Sequence, residues 1–119
     1  MRRNGTFYYR NYADGGYRRS SLCGSALSFA GLLWLELYRL GHTEFADELR
    51  SARDWVLTNR FPTDHPDPNL RGAFLETRRY NRPDGIVVNV RDIATSFGLR
   101  FLTALAETPE LLAPTPTDR

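Results

Sequence analysis

The sequence predicts a soluble, mainly α-helical domain with short β-hairpins, in which an αα-hairpin packs with a third buried helix. Three observations predict this fold class. Residues 21–40 and 93–107 carry apolar side chains at helical spacing on several sides. Residues 44–58 carry them on one side and are charged on the other. Each of the two more apolar segments follows a β-favouring stretch that contains Asp-Gly, a pair typical of tight turns.

Composition limits the classes of function. The 119 residues are enough for one domain with its own core. All sixteen basic residues are arginines, and fourteen acids leave a net charge of +2. Around residues 44–54 arginines and acids alternate, as on a solvated helix face, so nucleic-acid binding is not expected.

The N-terminal third of the sequence indicates where in the cell the protein is located. Cys23 is the one cysteine of the sequence and lies in an apolar stretch, which predicts a buried thiol in a reducing compartment. Arg18 and Arg19 precede this stretch as in a twin-arginine export signal, but no small-residue cleavage site follows. The uncharged run is shorter than the roughly 20 residues that span a bilayer. We expect a cytoplasmic protein with no membrane partner.

The first unit begins with an aromatic stretch, residues 5–12, which predicts an irregular hairpin that turns at Asp14 and Gly15. A helix is predicted over residues 21–40, enclosed on most sides because it is apolar nearly all round, and Gly41 ends it. Small residues lie close to one stripe of this helix and would let a neighbouring backbone approach. They are Ser21, Gly24, Ser28 and Gly31.

The second helix follows directly. Thr43 is its predicted N-cap, and acids occupy its first turns. Its apolar stripe faces the first helix, so the two form an αα-hairpin. The stripe consists of Phe45, Leu49, Ala52 and Val56, with Trp55 beside it. Residues 61–70 contain three prolines and predict a loop.

The second unit repeats the plan. Residues 72–80 and 86–90 flank Asp84-Gly85 and predict a β-hairpin, and Asp92 is the predicted N-cap of a third helix over residues 93–107. Residues 109–119 are predicted to be a proline-rich tail, so the domain covers residues 1–108. Laying residues 5–7 over residues 72–74 indicates two degenerate repeats, about 5–40 and 72–107, with a period of roughly 67 to 70 residues.

Four stretches resemble the α/α-toroid proteins, in the six-hairpin glycosidase-like and terpenoid-cyclase-like groups. The stretches are GTFYYRNYADGG, SSLCGSALSFAGLLWLELYRLGH, EFADELRSARDWV and GAFLETRRYNRPDGIVVNVRDIATSFGLRFL. The resemblance implies a protein that modifies or binds polysaccharide or oligosaccharide, of hydrolase, lyase or epimerase type if it is an enzyme. A closed toroid has about five to seven hairpins and this sequence about one and a half. The resemblance therefore implies missing toroid segments, a homo-oligomer, or a small independent domain.

In toroids the ligand lies where the loops before the helices converge, which directs attention to residues before the first and third helices. Aromatic planes stack on sugar faces, and carboxylates and arginines pair with hydroxyls or acidic substituents. Paired carboxylates about 5 to 9.5 Å apart could perform glycosidic acid–base chemistry. The candidate catalytic residues are Glu76, Asp84 and Asp92, and the candidate ligand-binding residues are Tyr8, Tyr12, Asp14, Tyr80, Asn89 and Arg91.

Structural alternatives to these roles remain open. Glu76 and Asp84 could pair with nearby arginines across the hairpin, and Asp92 could act only as a helix cap. His65 in its proline-rich loop has no second histidine or cysteine near it, so we expect no metal site. No cofactor motif occurs either. The alternative functions are a non-catalytic helical repeat module that mediates self-association or protein binding, and a pocket for an apolar ligand.

Overall fold

The computed structural model describes the backbone of residues 7–11, 17–81 and 85–112, and the side chains of residues 23–77 and 88–112. Strands β1 (Phe7–Asn11) and β2 (Tyr17–Cys23) lead into helix α1 (Gly24–Arg39). A 3₁₀ turn, Thr43–Phe45, precedes α2 (Ala46–Thr58). Strands β3 (Leu75–Asn81) and β4 (Gly85–Val90) then lead into α3 (Asp92–Ala106) and a final 3₁₀ turn, Pro109–Leu111. The predicted mainly helical class with short hairpins is confirmed.

The described strands form one four-stranded antiparallel sheet in the order β1-β2-β3-β4. Two residue pairs join the hairpins, because Leu22 lies opposite Arg78 and Cys23 opposite Thr77. The sequence predicted two separate hairpins and did not indicate this junction. The pairing brings the start of α1 next to the start of β3, where the candidate site lies.

The two hairpin-helix units have matching layouts. Phe7 lies opposite Cys23 just before α1, and Leu75 lies opposite Val90 just before α3. Equivalent positions are therefore 67 to 68 residues apart in the sequence. α1 contacts both α3 and α2, and the apolar core lies between the three. Its fully buried large side chains are Leu27, Leu35, Leu49, Phe101, Leu105 and Leu111.

Small residues on α1 allow close packing, as predicted. A Cβ atom at Gly24 would collide with the carbonyl oxygen of Leu75, so the backbones of α1 and β3 come together there. A Cβ atom at Gly31 would lie 2.5 Å from Cε1 of Phe101. These two glycines therefore set the distance of α1 from the second unit.

The first helix differs from its prediction in two ways. It begins at Gly24 rather than residue 21, because β2 continues through Cys23 and pairs with both neighbouring strands. Second, one side of the helix is exposed, although its other sides are enclosed as expected. Phe29 is 48% exposed and Leu33 is 61% exposed, because among the described elements α2 and α3 leave one side of the helix bare.

The helix ends are only partly as predicted. Gly41 has a φ of 101° and follows the end of α1, which confirms its role as the stop. Thr43 starts the 3₁₀ turn rather than capping α2. Asp92 is the first residue of α3 and not its N-cap, because Arg91 has the extended backbone of the cap position. The Asp92 carboxylate accepts the N–H of Ile93 at 2.8 Å.

The C-terminal boundary also differs from the prediction of a tail from residue 109. Leu111 is fully buried, and its carbonyl oxygen accepts a hydrogen bond from Nη1 of Arg53 at 2.7 Å. The ordered body therefore includes Pro109–Leu111. Within the described residues, no helix has the length and apolar character needed to cross a membrane.

Candidate functional site

A cleft of about 510 Å³ opens where the start of α1, the start of β3 and the β4–α3 junction meet. Three of the predicted site residues line it together, namely Glu76, Arg91 and Asp92. Among the described residues, the cleft is also lined by the hydroxyl residues Ser25 and Ser96 and the apolar side chains Ile93 and Phe97.

Glu76 enters this cleft because β3 is irregular at that residue. Leu75 pairs with Val90 and Thr77 pairs with Asn89, so β3 contains one residue more than β4 over this stretch. Such a bulge redirects a side chain and interrupts the alternation of faces. Accordingly, Leu75 and Glu76 are both buried although they are consecutive, and Glu76 is only 3% exposed.

One oxygen of the Glu76 carboxyl group is held by the first unit. The Ser25 hydroxyl donates to Oε1 at 2.6 Å, and the Cys23 thiol donates to the same oxygen at 3.2 Å. Ser25 is the second residue of α1, so the positive end of the helix dipole also faces the acid. These bonds join residues more than fifty positions apart in the sequence.

The other oxygen of this carboxyl group, Oε2, is buried and has no hydrogen-bond partner among the described residues. An unsatisfied buried acceptor costs about 1–3 kcal/mol. Buried polar groups are nearly always paired, and the exceptions in native proteins are often functional. The alternative pairing of Glu76 with Arg78, Arg79 or Arg82 concerns arginine side chains that lie outside the described residues.

Cys23 supports Glu76 through a hydrogen bond from its thiol. Burial raises the pKa of its thiol above the ordinary value, and the charge of Glu76 raises it further, although bonds from Ser25 and the Ala26 backbone act in the other direction. The thiol therefore keeps its proton at neutral pH and can donate it to the carboxyl oxygen. The prediction that Cys23 is buried is confirmed.

Arg91 and Asp92 form the exposed rim of the cleft. Neither forms an ion pair with another described residue. Arg91 is the last extended residue before α3, and Asp92 is the first residue of that helix. A charged group of each sign therefore stands at the entrance, above the buried acid.

Of the remaining predicted site residues, the structure describes the side chain of Asn89. Asn89 lies exposed on β4 and does not line the cleft. The side chains of the other five lie outside the described residues. They are Tyr8, Tyr12, Asp14, Tyr80 and Asp84.

No metal site emerges in the described part of the chain, where no three His, Cys, Asp or Glu side chains come together. His65 has a local role, because its Nδ1 accepts the N–H of Asp67 at 3.1 Å and its ring meets that of Phe61 edge-on. Sequence reasoning missed Ser25. The usable signal was a serine in the first turn of a helix that directly follows a strand.

Comparisons with protein-family models, with curated proteins and with solved structures find no match for this chain. The resemblance to α/α-toroid proteins therefore stays a prediction.

Proposed function

We propose that the cleft binds a carbohydrate, with Glu76 as the buried acceptor for a sugar hydroxyl. The observation that carries this proposal is that the two oxygens of the Glu76 carboxyl group have different surroundings. Oε1 is fixed by Ser25 and Cys23, whereas Oε2 is buried without a partner among the described residues. A ligand hydroxyl that donates to Oε2 would remove the penalty of that unpaired acceptor.

The remaining lining suits the same class of ligand. Sugars combine hydroxyl groups, which need both donors and acceptors, with weakly apolar ring faces. Ser25 and Ser96 offer hydroxyls, and Phe97 offers an aromatic ring at the wall. Ligand sites commonly consist of such apolar walls with a few polar groups that set the orientation.

The acids also permit a reaction on the bound sugar. Glu76 and Asp92 line the same cleft, and the first is buried whereas the second is exposed. A hydrolase, lyase or epimerase reaction of the kind implied by the toroid resemblance would use such a pair.

The test is titration of the protein with a panel of neutral and acidic mono- and oligosaccharides, followed by calorimetry on any that bind. Glu76→Gln keeps the size of the side chain and an oxygen for Ser25. We expect it to weaken binding about 10- to 100-fold, because a hydrogen bond to a charged group contributes about 1.5–3 kcal/mol.

Two further variants make the result decisive. Ser96→Phe should block the cleft without changing the contacts of Glu76, and Glu44→Gln is the matched control, because Glu44 is 63% exposed and outside the cleft. No binding across the panel, or unchanged affinity in both Glu76→Gln and Ser96→Phe, would exclude a carbohydrate site here.

A further inference from the structure

A second cleft, of about 460 Å³, adjoins the cleft that contains Glu76, which is the first cleft. Arg91 and Asp92 line both, so the two clefts meet at the β4–α3 junction. The second cleft is also lined by the loop after α2, through Asn69 and Arg71. Binding sites for small ligands have volumes of about 300–1,000 Å³, so each cleft is large enough to hold part of one elongated ligand.

The loop after α2 positions Arg71 at the second cleft. At the base of this loop the N–H of Phe61 donates to the carbonyl oxygen of Ala73 at 2.9 Å. Within the loop, Nε of Arg71 donates to the carbonyl oxygen of His65 at 2.7 Å. This bond uses one nitrogen of the guanidinium group, and no described residue accepts a hydrogen bond from the other two. Those two nitrogens are therefore available to a ligand.

The two clefts differ in charge outside the part that they share. Arg91 and Asp92 carry opposite charges, so together they add no net charge to either cleft. The first cleft has in addition the carboxyl group of Glu76, and the second has the guanidinium group of Arg71. A ligand that lies along both clefts therefore meets a buried hydrogen-bond acceptor in one and a cation in the other.

An arginine in the second cleft favours one class of substituent. The planar guanidinium group presents paired N–H donors that match the two oxygens of a carboxylate, and it carries a permanent positive charge. A sugar hydroxyl offers a single uncharged oxygen. Asp92 is the one acid among the described residues that line this cleft, and Arg91 offsets its charge. The second cleft therefore favours a sugar that carries a carboxylate over a neutral one.

We propose that the ligand is an acidic oligosaccharide with at least one sugar in each cleft. A sugar hydroxyl donates to Glu76 in the first cleft, and the carboxylate of a uronic acid residue pairs with Arg71 in the second. Arg91 lies where the clefts meet and can donate to either sugar. This inference rests on the proposed carbohydrate site, and it adds the class of sugar, a minimum length of two sugars and a role for the loop after α2.

The test is calorimetry with matched pairs of trisaccharides. The probes are trimers of galacturonic acid and of glucuronic acid, each compared with its carboxyl-reduced, neutral form. The wild-type protein should bind at least one acidic trimer more tightly than its neutral form. Arg71→Gln should weaken binding of that acidic trimer about 3- to 5-fold, the size expected for an exposed ion pair, and leave binding of the neutral form unchanged.

Two comparison variants separate the position of the charge from its presence. Arg71→Lys keeps a cation at the second cleft and should retain most of the preference for the acidic trimer. Arg100 is exposed on α3 and lines neither cleft, so Arg100→Gln removes one positive charge away from the site and should bind as the wild type does. Raising the ionic strength from about 0.01 M to about 1 M should abolish the preference, because it shortens the Debye length from about 30 Å to about 3 Å.

The outcomes distinguish this inference from the proposed function. Equal affinity for both forms of each trimer, or equal weakening in Arg71→Gln and Arg100→Gln, would overturn the acidic subsite and leave the carbohydrate site standing. If Arg71→Gln weakens binding of the acidic trimer but Glu76→Gln does not, the role of Glu76 is wrong, and so is a ligand that spans both clefts. If none of the trimers binds, both proposals are overturned. Circular dichroism confirms that each variant is folded.

Discussion

Replacing Gly31 with alanine tests how closely α1 and α3 pack. The new Cβ atom would lie 2.5, 2.7 and 2.8 Å from three atoms of the Phe101 ring, whereas carbon atoms prefer separations of about 3.5–4.0 Å. Phe101 is fully buried, so its ring cannot move toward solvent. The contact must be relieved by shifting the ring or the helix within the core.

The expected change is the sum of two opposing effects. Overpacking of a core costs about 1–3 kcal/mol, and three short contacts on a fully buried ring place this site in the upper half of that range. Alanine in place of glycine in a helix contributes about 1 kcal/mol in the other direction. We expect Gly31→Ala to lower the free energy of unfolding by about 1–2 kcal/mol, which lowers the melting temperature by several degrees.

The assay is urea unfolding of wild type, Gly31→Ala, Phe101→Leu and the double variant. Phe101→Leu removes the ring edge that the new Cβ atom would meet. In that background Gly31→Ala should therefore be neutral or stabilising, so the double-mutant cycle should show coupling between the two sites. Gly98→Ala is a graded comparison with a milder effect, since its nearest ring atom, on Phe74, lies 3.0 Å away. A Gly31→Ala variant stabilised by about 1 kcal/mol, which is the helix effect alone, would refute the close packing.

Two further predictions concern buried polar groups. Because the pKa of Cys23 is raised in the folded state, its contribution to stability is complete below the ordinary thiol pKa of 9.0 and is lost as pH rises through the folded-state pKa. Urea unfolding at several pH values above 9 should therefore show a steeper loss for the wild type than for Cys23→Ala, and equal slopes would contradict the raised pKa. Arg53→Ala should cost about 1–3 kcal/mol and speed hydrogen exchange around Leu111, because it removes the buried donor to that carbonyl. Arg71→Ala is the control, because Arg71 is an exposed arginine in the loop, and it should leave hydrogen exchange around Leu111 unchanged. If exchange around Leu111 is also unchanged in Arg53→Ala, other contacts hold that turn.

The local part of the candidate site could be predicted from the sequence. Arg91 and Asp92 directly precede or begin an apolar helix, and Glu76 lies near the start of the hairpin before it, so their positions in the chain singled them out. Their individual roles could not be predicted. Whether Asp92 caps α3 depends on the backbone angles of Arg91, and these depend on where β4 ends.

The exposed side of α1 is a second feature that the sequence could not predict. A helix that is apolar nearly all round predicts burial on most sides, because apolar surface is removed from water wherever a neighbour exists. Leu33 is exposed because the described chain supplies no neighbour on that side. Periodicity reports which faces can be buried, and the number of packing partners is a property of the assembled structure.

The sequence by itself determined the elements and their order, since helical periodicity, Asp-Gly turns and Gly41 act through neighbours in the chain. It also indicated the repeat, through similar residues at a similar spacing. Only the tertiary structure decided that the two hairpins share a sheet, that a bulge turns Glu76 inward, and that Ser25 meets it. The shared sheet and the Ser25 contact join residues more than fifty positions apart, and no local preference of the chain encodes which of many distant partners is brought within hydrogen-bonding distance.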